Sequence, residues 1–526
     1  MIAASTWALL SADSDALRTL LPDDAPLQDT ESAAAQAFAH ILDCDFAGAY
    51  DLAKRAPRHL ATDAVGRLAA EIAGRVSNLP SLETLAGTIA GLESEEFHRQ
   101  SWPVCVVAET AMAVGTLSMA ESVSRRVWTT CGADDPRTVF AGQTLTRALL
   151  FQGRLEEAHS IGDDVEARSR SFGLTALTIV MNGTLAYICA LRDDQIGLDR
   201  RIDAVESRYE GVSRSYFSGG ALVLAAYALA AAGRTRRAAA MMLRAGGGPD
   251  LDRLQSVDRV YGYELLVTAA LGDGDTVSAR SWGVRATEVC AETDGMAAAA
   301  QRRISARLAA AAGDPVLGAA LADEAAQIAA GQTGHLDATR AQLIAGSALL
   351  HDIASSSVAQ QTLQIAGGRA SDMGAVALAV LARRDLRSIG LRWTGTTPSP
   401  MTKRERQVAD LVIAGMTDGR ISRVLGISER TVQLHVAKVL RALGVHSRTG
   451  VVAALIDPAS GVAASRELLT PRQQQVADLV ARGYPNDGAA AALQVSVKTI
   501  EKHVSDIFRR LSIDSRASLA AVWPRS

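Results

Sequence analysis

The sequence predicts an all-α chain, and three observations carry that expectation. Ala, Arg and Gly dominate, while aromatic residues make up only 4% of the 526 residues, so the Val/Ile/Thr/aromatic alternation that marks strands is hard to find. From about residue 40 onward one pattern recurs roughly every 40 residues: an Ala/Leu-rich helix, a tight Gly or Asp turn, then a second helix that opens on small residues. Near the C-terminus a different stretch, Thr402 to Arg448, is written twice. Shifted by 68 positions it falls on Thr470 to Arg516 without a gap, with 18 identities over 47 positions.

The long first part, residues 1–395, is expected to be a run of helical hairpins. Its turns fall at Gly115, Gly153, Arg192–Asp194, Gly233, Gly272–Gly274, Gly313 and His351–Asp352, with two weaker copies around Cys44 and Asn78. A Gly in such a turn takes the left-handed conformation that closes a helix at little cost. Ala158, Ala238, Ala279 and Ala319, just after the turns, let the second helix lie close to the first. One hairpin cannot bury its own apolar face, so the hairpins are expected to stack into a right-handed solenoid. This region resembles the tetratricopeptide class with a longer repeat. Its concave groove is a place for a small effector or a protein partner, and Trp102, Trp128, Tyr187 and Trp282 are candidates either for that groove or for the core.

Several classes of function are disfavoured. There is no GxxxxGK[ST] loop, no HExxH and no Ser/His/Asp arrangement, so no enzyme, cofactor or metal is expected. Cys44, Cys105, Cys131, Cys189 and Cys290 are widely spaced, with no CxxC and no His at ligand spacing, and read as buried thiols of a reduced, cytoplasmic protein. Met1 to Leu21 lacks the pattern of a signal peptide. The apolar runs Leu177–Leu191 and Gly219–Ala232 are shorter than a membrane span, and no membrane association is expected.

Charge is unevenly placed. The whole chain has a net charge of −3, yet residues 401–456 hold nine Lys/Arg against four Asp/Glu, and residues 466–526 hold nine against six. A polyanion partner is therefore expected at the C-terminal end. A Gly/Thr/Pro-rich linker, Gly390 to Pro400, separates the two regions.

Each copy of the duplicated unit reads as a run of three helices. Thr402–Glu405 and Thr470–Gln473 form capping boxes at the start of helix one. Val408, Leu411 and Val412 (Val476, Leu479 and Val480 in the second copy) face inward, and Gly415 or Gly483 closes the helix. Helix two spans Asp418 to Leu425, Gly426-Ile427-Ser428 forms the turn, and Ser428 caps helix three. Val432, Val436, Val439, Leu440 and Leu443 make one apolar face of helix three, matched by Ile500, Val504, Ile507, Phe508 and Leu511. The opposite face carries Arg430, Thr431, Gln433, Leu434, Ala437, Lys438 and Arg441. A short helix, a tight turn and a second helix with Gln, Lys and Arg outward is how a helix-turn-helix unit enters the major groove of double-stranded DNA. Gln pairs with adenine, Lys and Arg reach guanine or phosphate, and helix N-termini near Ser428 and Thr402 suit phosphates.

Both copies resemble LuxR-type helix-turn-helix domains through TxRE/Q, the closing Gly, the LGIS turn, SxxT-V/I-xxHV and L-x-V/I-x-SR. The acidic region ahead of them resembles the helical part of the large LuxR-type regulators, without their ATP-binding module. The resemblance implies four-helix domains at 398–460 and 464–526, DNA binding through helix three, and homodimer contacts through the last helix, about Ser447–Ile456 and Ser515–Trp523. It adds His435 and His503, which match a frequent family position and suit a half-buried packing or phosphate role. The expected DNA-contacting set is Thr402, Arg404, Ser428, Arg430, Thr431, Gln433, Leu434, His435, Ala437, Lys438 and Arg441, with Ser496, Lys498, Thr499, Glu501, Lys502, His503, Ser505 and Arg509 in the second copy. The full expectation is a TPR-like solenoid followed by two small four-helix domains, acting as a transcriptional regulator that meets the transcription machinery. The alternative is an interaction scaffold or antagonist whose modules dimerise without binding DNA.

The copies are unequal. In the second, Gln494 replaces the Gly of the turn, Ala489 replaces Ile421 in helix two, and Glu501 and Asp506 bring acid to helix three. The first copy is expected to bind DNA more strongly. The linker from Asp457 to Arg466 spans at most roughly 33–36 Å, close to the spacing of about 34 Å between major grooves one turn apart, so one chain is expected to be able to place both copies on adjacent grooves.

Overall fold

The computed structural model describes residues 14–21, 30–75, 77–209, 216–290, 295–350, 352, 355–388, 403–413, 416–443, 469–481, 486–493, 495–510 and 519. Among them every regular element is a helix, and the chain divides into two compact units, Met1–Trp393 and Thr394–Ser526.

The first unit opens with α1 (Ser14–Leu20), α2 (Thr30–Leu42), α3 (Phe46–Arg55), α4 (Leu60–Ile72), α5 (Leu82–Ala90) and the short α6 (Ser94–Arg99). A regular series of hairpins follows: α7 (Ser101–Ala113) with α8 (Leu117–Thr130), α9 (Arg137–Phe151) with α10 (Leu155–Ser171), and α11 (Thr175–Leu191) with α12 (Gln195–Tyr209). The series continues through α13 (Tyr216–Ala231) with α14 (Thr235–Gly246), α15 (Ser256–Gly272) with α16 (Thr276–Cys290), α17 (Met296–Ala311) with α18 (Pro315–Gly331), and α19 (His335–Leu349) with α20 (Ser356–Asp372). It closes on α21 (Val376–Ser388).

The expected turns lie between the two helices of each hairpin, and the pairs α2/α3 and α4/α5 occupy the places of the two weaker copies, around Cys44 and Asn78. At Gly153 the backbone is left-handed (φ +80°), and a Cβ there would collide with the Met373 side chain from the far end of the series. Asp193 adopts φ +61° without being Gly, a strain that Asp tolerates better than most residues. The connections between hairpins are just as tight: Gly173, Thr333 and Gly374 are also left-handed, which the spacing of the obvious turns did not reveal.

The two helices of a hairpin differ in burial. The first helices α7, α9, α11 and α13 are enclosed on nearly all sides; in α11 every residue from Ala176 to Leu191 is buried. The second helices bury one stripe, with Ala158, Ala238, Ala279 and Ala319 on it, and leave Ile196, Val277 and Val316 in solvent. The apolar runs Leu177–Leu191 and Gly219–Ala232 are thus inner helices of the stack, and no described helix is long and apolar enough to cross a membrane. Close approach depends on small residues. A Cβ at Gly183 of α11 would lie 2.6 Å from the Ala221 carbonyl of α13.

The unit curls so that segments far apart in sequence meet. The Tyr216 hydroxyl donates to Glu109 at 3.0 Å, Ser118 and Thr333 hydroxyls lie 3.2 Å apart, and the rings of Phe151 and Tyr261 pack edge to face. Tyr187, Tyr227 and Tyr261 continue this aromatic contact with centroids 5.8 Å apart at each step. Of the four aromatics considered for the groove, Trp102 is core, packed edge-on against Phe38; Trp128 and Trp282 are partly buried against the core; Tyr187 lies in the aromatic series. The expectation of five buried thiols needs correction: Cys105, Cys131 and Cys189 are buried, but Cys44 and Cys290 are half-buried, because each sits where a helix ends at the edge of the stack.

Beneath the tyrosines lies a buried ion network. Arg303 donates to both Glu264 oxygens at 2.8 and 2.7 Å, Arg340 reaches Glu264 at 3.1 Å and Asp337 at 2.8 Å, and the Tyr261 hydroxyl donates to Asp337. Arg303 and Asp337 side chains are 0% exposed and Glu264 1%, so solvent contributes almost nothing to their solvation. Burial alone would raise the Glu264 pKa, but Arg303 and Arg340 more than offset it and hold the carboxyl at about 2. A carboxyl held below its unfolded value contributes stability that is present above about pH 4.3 and fades as pH falls toward 2.

Two measurements follow from these charges. Glu264→Gln leaves two buried guanidinium groups with Asp337 as their one remaining carboxylate among the described residues and should destabilise the helical unit by about 3–5 kcal/mol, read from its urea or thermal transition by circular dichroism. Asp258 behaves oppositely: burial pushes its carboxyl up to about 6, opposed in part by the Gln255 amide that donates to it at 2.9 Å and by Arg147. Its contribution is therefore full below about pH 4 and lost as pH rises through 6. Asp258→Asn should melt higher than the wild type at pH 8 and lose that advantage at pH 4.

Candidate nucleic-acid interface

In the first copy, helix one is α22 (Lys403–Ile413), helix two α23 (Asp418–Leu425) and helix three α24 (Glu429–Leu443). Val408, Ala409 and Val412 of α22 pack on Ile421 of α23 and on Val432, Val436 and Val439 of α24. Gly426, at φ +64°, ends α23 in the left-handed conformation, and its N–H bonds the Ser422 carbonyl. Two residues later Ser428 accepts from the Thr431 N–H at 3.1 Å, and its hydroxyl lies 2.7 Å from that of Thr431. The turn is therefore defined at both ends, by a left-handed Gly and by a Ser cap.

The second copy repeats this arrangement in α25 (Pro471–Ala481), α26 (Asn486–Leu493) and α27 (Val497–Arg510). Its capping box is seen directly: the Thr470 N–H donates to Gln473 at 3.1 Å and the Gln473 N–H to the Thr470 hydroxyl at 3.3 Å. Ser496 caps α27 through the Thr499 N–H at 3.1 Å. Val476, Ala477 and Val480 pack on Ala489 and on Ile500, Val504 and Ile507, with Leu519 in the same cluster.

One interaction recurs that the motifs did not foretell. Arg404 of α22 donates through Nη2 to the Leu425 carbonyl at the end of α23, at 2.7 Å, and Arg472 of α25 does the same to Leu493 at 2.8 Å. Each Arg also holds a Gln on its own helix, Gln407 at 3.1 Å and Gln475 at 2.8 Å. A cation on the C-terminal carbonyls of helix two satisfies groups that the helix cannot pair itself. The guanidinium of Arg404, expected at DNA for its charge, is thus engaged inside its own unit. The only advance signal was the identical Arg at matched positions.

Of the remaining expected contacts, Ser428, Arg430 and Gln433 are exposed on the first copy, as are Ser496, Lys498, Glu501, Lys502 and Ser505 on the second. Thr431, His435, Thr499 and His503 are half-buried, and His435 Nδ1 has no hydrogen-bond partner among the described residues. Leu434, Ala437, Lys438 and Arg441 lie on α24 and Arg509 on α27, but their side chains lie outside the described residues. So do Thr402 and its capping box, Gly415, Gly483, Gln494, the linker 457–466 and, apart from Leu519, the expected last helices.

The family model of bacterial regulatory proteins of the luxR family matches residues 399–455 and again 467–523. Both C-terminal units are luxR-family domains. Response regulator Rre1 of Synechocystis sp. is 46% identical over 50 residues, 10% of this chain and 22% of that protein. Response regulator protein VraR of Staphylococcus aureus is 38% identical over 50 residues, 10% of this chain and 24% of that protein. The chain thus matches under a quarter of the length of these relatives. The Ser caps at the start of helix three and the Arg braces from helix one to the end of helix two recur at matched positions of both luxR-family units.

The helical unit brings together three potential metal ligands that the sequence spacing hid. Ligand atoms of His98, Cys131 and Asp135 lie within 4.8 Å of one another. A cation already stands among them, however: Arg137 donates to Asp135 at 2.9 Å and its Nη2 lies 3.0 Å from His98 Nε2. Burial also pushes the Cys131 thiol up, away from the thiolate a metal needs. The cluster reads as an Arg-closed corner between α6, α8 and α9.

Removing the brace should be measurable in each luxR unit. Arg404→Ala and Arg472→Ala each lose a charge-assisted bond to a part-buried carbonyl and should lower the stability of their own unit by about 1 kcal/mol, with hydrogen exchange rising at helix two of the altered copy only.

Proposed function

We propose that this chain is a cytoplasmic transcriptional regulator that binds double-stranded DNA through helix three of its luxR units, under the control of the helical unit. One observation carries the reading. Helix three buries Val432, Val436 and Val439 on one side and leaves Arg430 and Gln433 exposed on the other, at the end of a turn defined by Gly426 and Ser428. A helix presented this way, N-terminal end outward, suits insertion into the major groove. The response-regulator names of the matched relatives support the same reading.

Within it, Gln433, Lys438 and Arg441 take base and phosphate contacts, and the Ser428 and Ser496 turns face phosphate. The first copy supplies more of the binding energy, because Glu501 is exposed on the second copy at the position of Gln433, and Asp506 stands at the position of Lys438. Acid facing phosphates opposes binding. A homodimer, or the two copies of one chain on adjacent grooves, supplies the second half-site.

The test is binding of the full chain to duplex DNA at graded salt. Affinity should fall steeply as salt rises; a flat response, or no binding, favours a scaffold whose units only dimerise. Lys438→Ala should weaken binding to all sequences and flatten the salt slope by about one unit. Gln433→Ala should relax choice at one base pair at a cost of about 1–3 kcal/mol. Changing Glu501 to Gln should strengthen the second copy.

A further inference from the structure

The inner helices α11, α13, α15, α17 and α19, together with α21, line a half-open cavity of about 560 Å3. Small-molecule sites occupy roughly 300–1,000 Å3, so this volume suits a ligand. A second cavity, between Glu109, Arg147 and Tyr216, holds only about 90 Å3, and Glu109 there is already bonded by Thr144, Arg147 and Tyr216.

The larger cavity is mostly apolar, walled by Leu191, Leu265, Leu343, Ile344 and Leu378. Its charges do not balance. Glu264 and Asp337 are taken by Arg303 and Arg340, and Arg384 pairs with Asp385 at 3.1 Å. Arg307 lines the same cavity and has no carboxylate within ion-pair distance among the described residues. Its Nε is buried without a hydrogen-bond partner, and so is Nη1 of the neighbouring Arg303. Three guanidinium groups, Arg303, Arg307 and Arg340, thus share two carboxylates. Burial and the adjacent Arg340 and Arg303 push the Arg307 guanidinium below its usual range, opposed only in part by Glu264 and Tyr227.

We propose that this cavity binds a small amphipathic monocarboxylate, its carboxylate paired with Arg307 and its apolar body against the leucines of the inner helices. The chemistry follows from the count. One positive charge is left over, which a single carboxylate neutralises, and the planar guanidinium matches a carboxylate in two parallel hydrogen bonds. A phosphate monoester carries close to two negative charges, and the second would face Glu264 and Asp385 in the same cavity. An amine would meet a cation, and a neutral ligand would leave Arg307 unpaired in an apolar wall.

The test uses the full chain and involves no DNA, so its outcome is separate from that of the DNA-binding reading. Octanoate, octyl phosphate and octanol are titrated calorimetrically. Octanoate should bind, and the other two should bind at least about tenfold more weakly, the range a charge-assisted hydrogen bond supplies. Arg307→Gln should remove the preference for octanoate, Arg307→Lys should keep part of it, and Arg236→Gln, which alters an exposed cation outside the cavity, should leave it unchanged. Octanol or octyl phosphate binding as tightly as octanoate overturns the proposal, as does no binding of octanoate at millimolar concentration. So does a folded Arg307→Gln variant that binds octanoate as the wild type does. If Arg307→Gln does not fold, the ligand series on the wild type and the Lys variant decide.

Discussion

The helical unit depends on charges held almost wholly out of water. Glu264 on α15, Arg303 on α17 and Asp337 and Arg340 on α19 come from three successive hairpins, and their bonds tie the inner helices to one another where the aromatic series Tyr187–Tyr227–Tyr261 crosses them. Apolar packing of Ala and Leu would permit neighbouring hairpins to slide by a helical turn with little loss. A bidentate Arg–carboxylate pair with no exposure does not, because any displacement leaves an ion unsolvated. The network is therefore best understood as setting the register of the inner helices, and through it the cavity beside Arg307.

The C-terminal units solve a smaller version of the same problem. Among the described residues of the first, Val408, Ala409, Val412, Ile421, Val432, Val436 and Val439 form the buried cluster. Polar bonds at helix ends add direction to that packing. Ser428 and Ser496 hold the start of helix three, while Arg404 and Arg472 hold the end of helix two. At the place of Ile421 the second unit buries the smaller Ala489.

Much of this was legible in the residues. The turns at Gly115, Gly153, Gly233 and Gly313, the bounds Asp418–Leu425 of helix two, the Ser428 cap and the buried face of helix three follow from local rules: a left-handed residue where a helix closes, a Ser where one opens, and a 3.6-residue period between. The connections at Gly173 and Thr333 were not legible, because a tight turn between two long helices looks the same in sequence as one inside a hairpin. The reading of all five cysteines as buried went too far, since burial of Cys44 and Cys290 depends on what lies at the edge of the stack.

By itself the sequence determined that the chain is helical, that its first part repeats and its last part is a duplicated helix-turn-helix unit, because each of these rests on interactions between residues at most a few turns apart. Only the tertiary structure decided which charges meet. Arg303 finds Glu264 39 residues away, Tyr216 finds Glu109 107 residues away, and Arg404 turns inward to Leu425. Such pairings depend on how far each hairpin rotates on the last. That rotation accumulates along the stack from many small packing choices, none of which has a local signature.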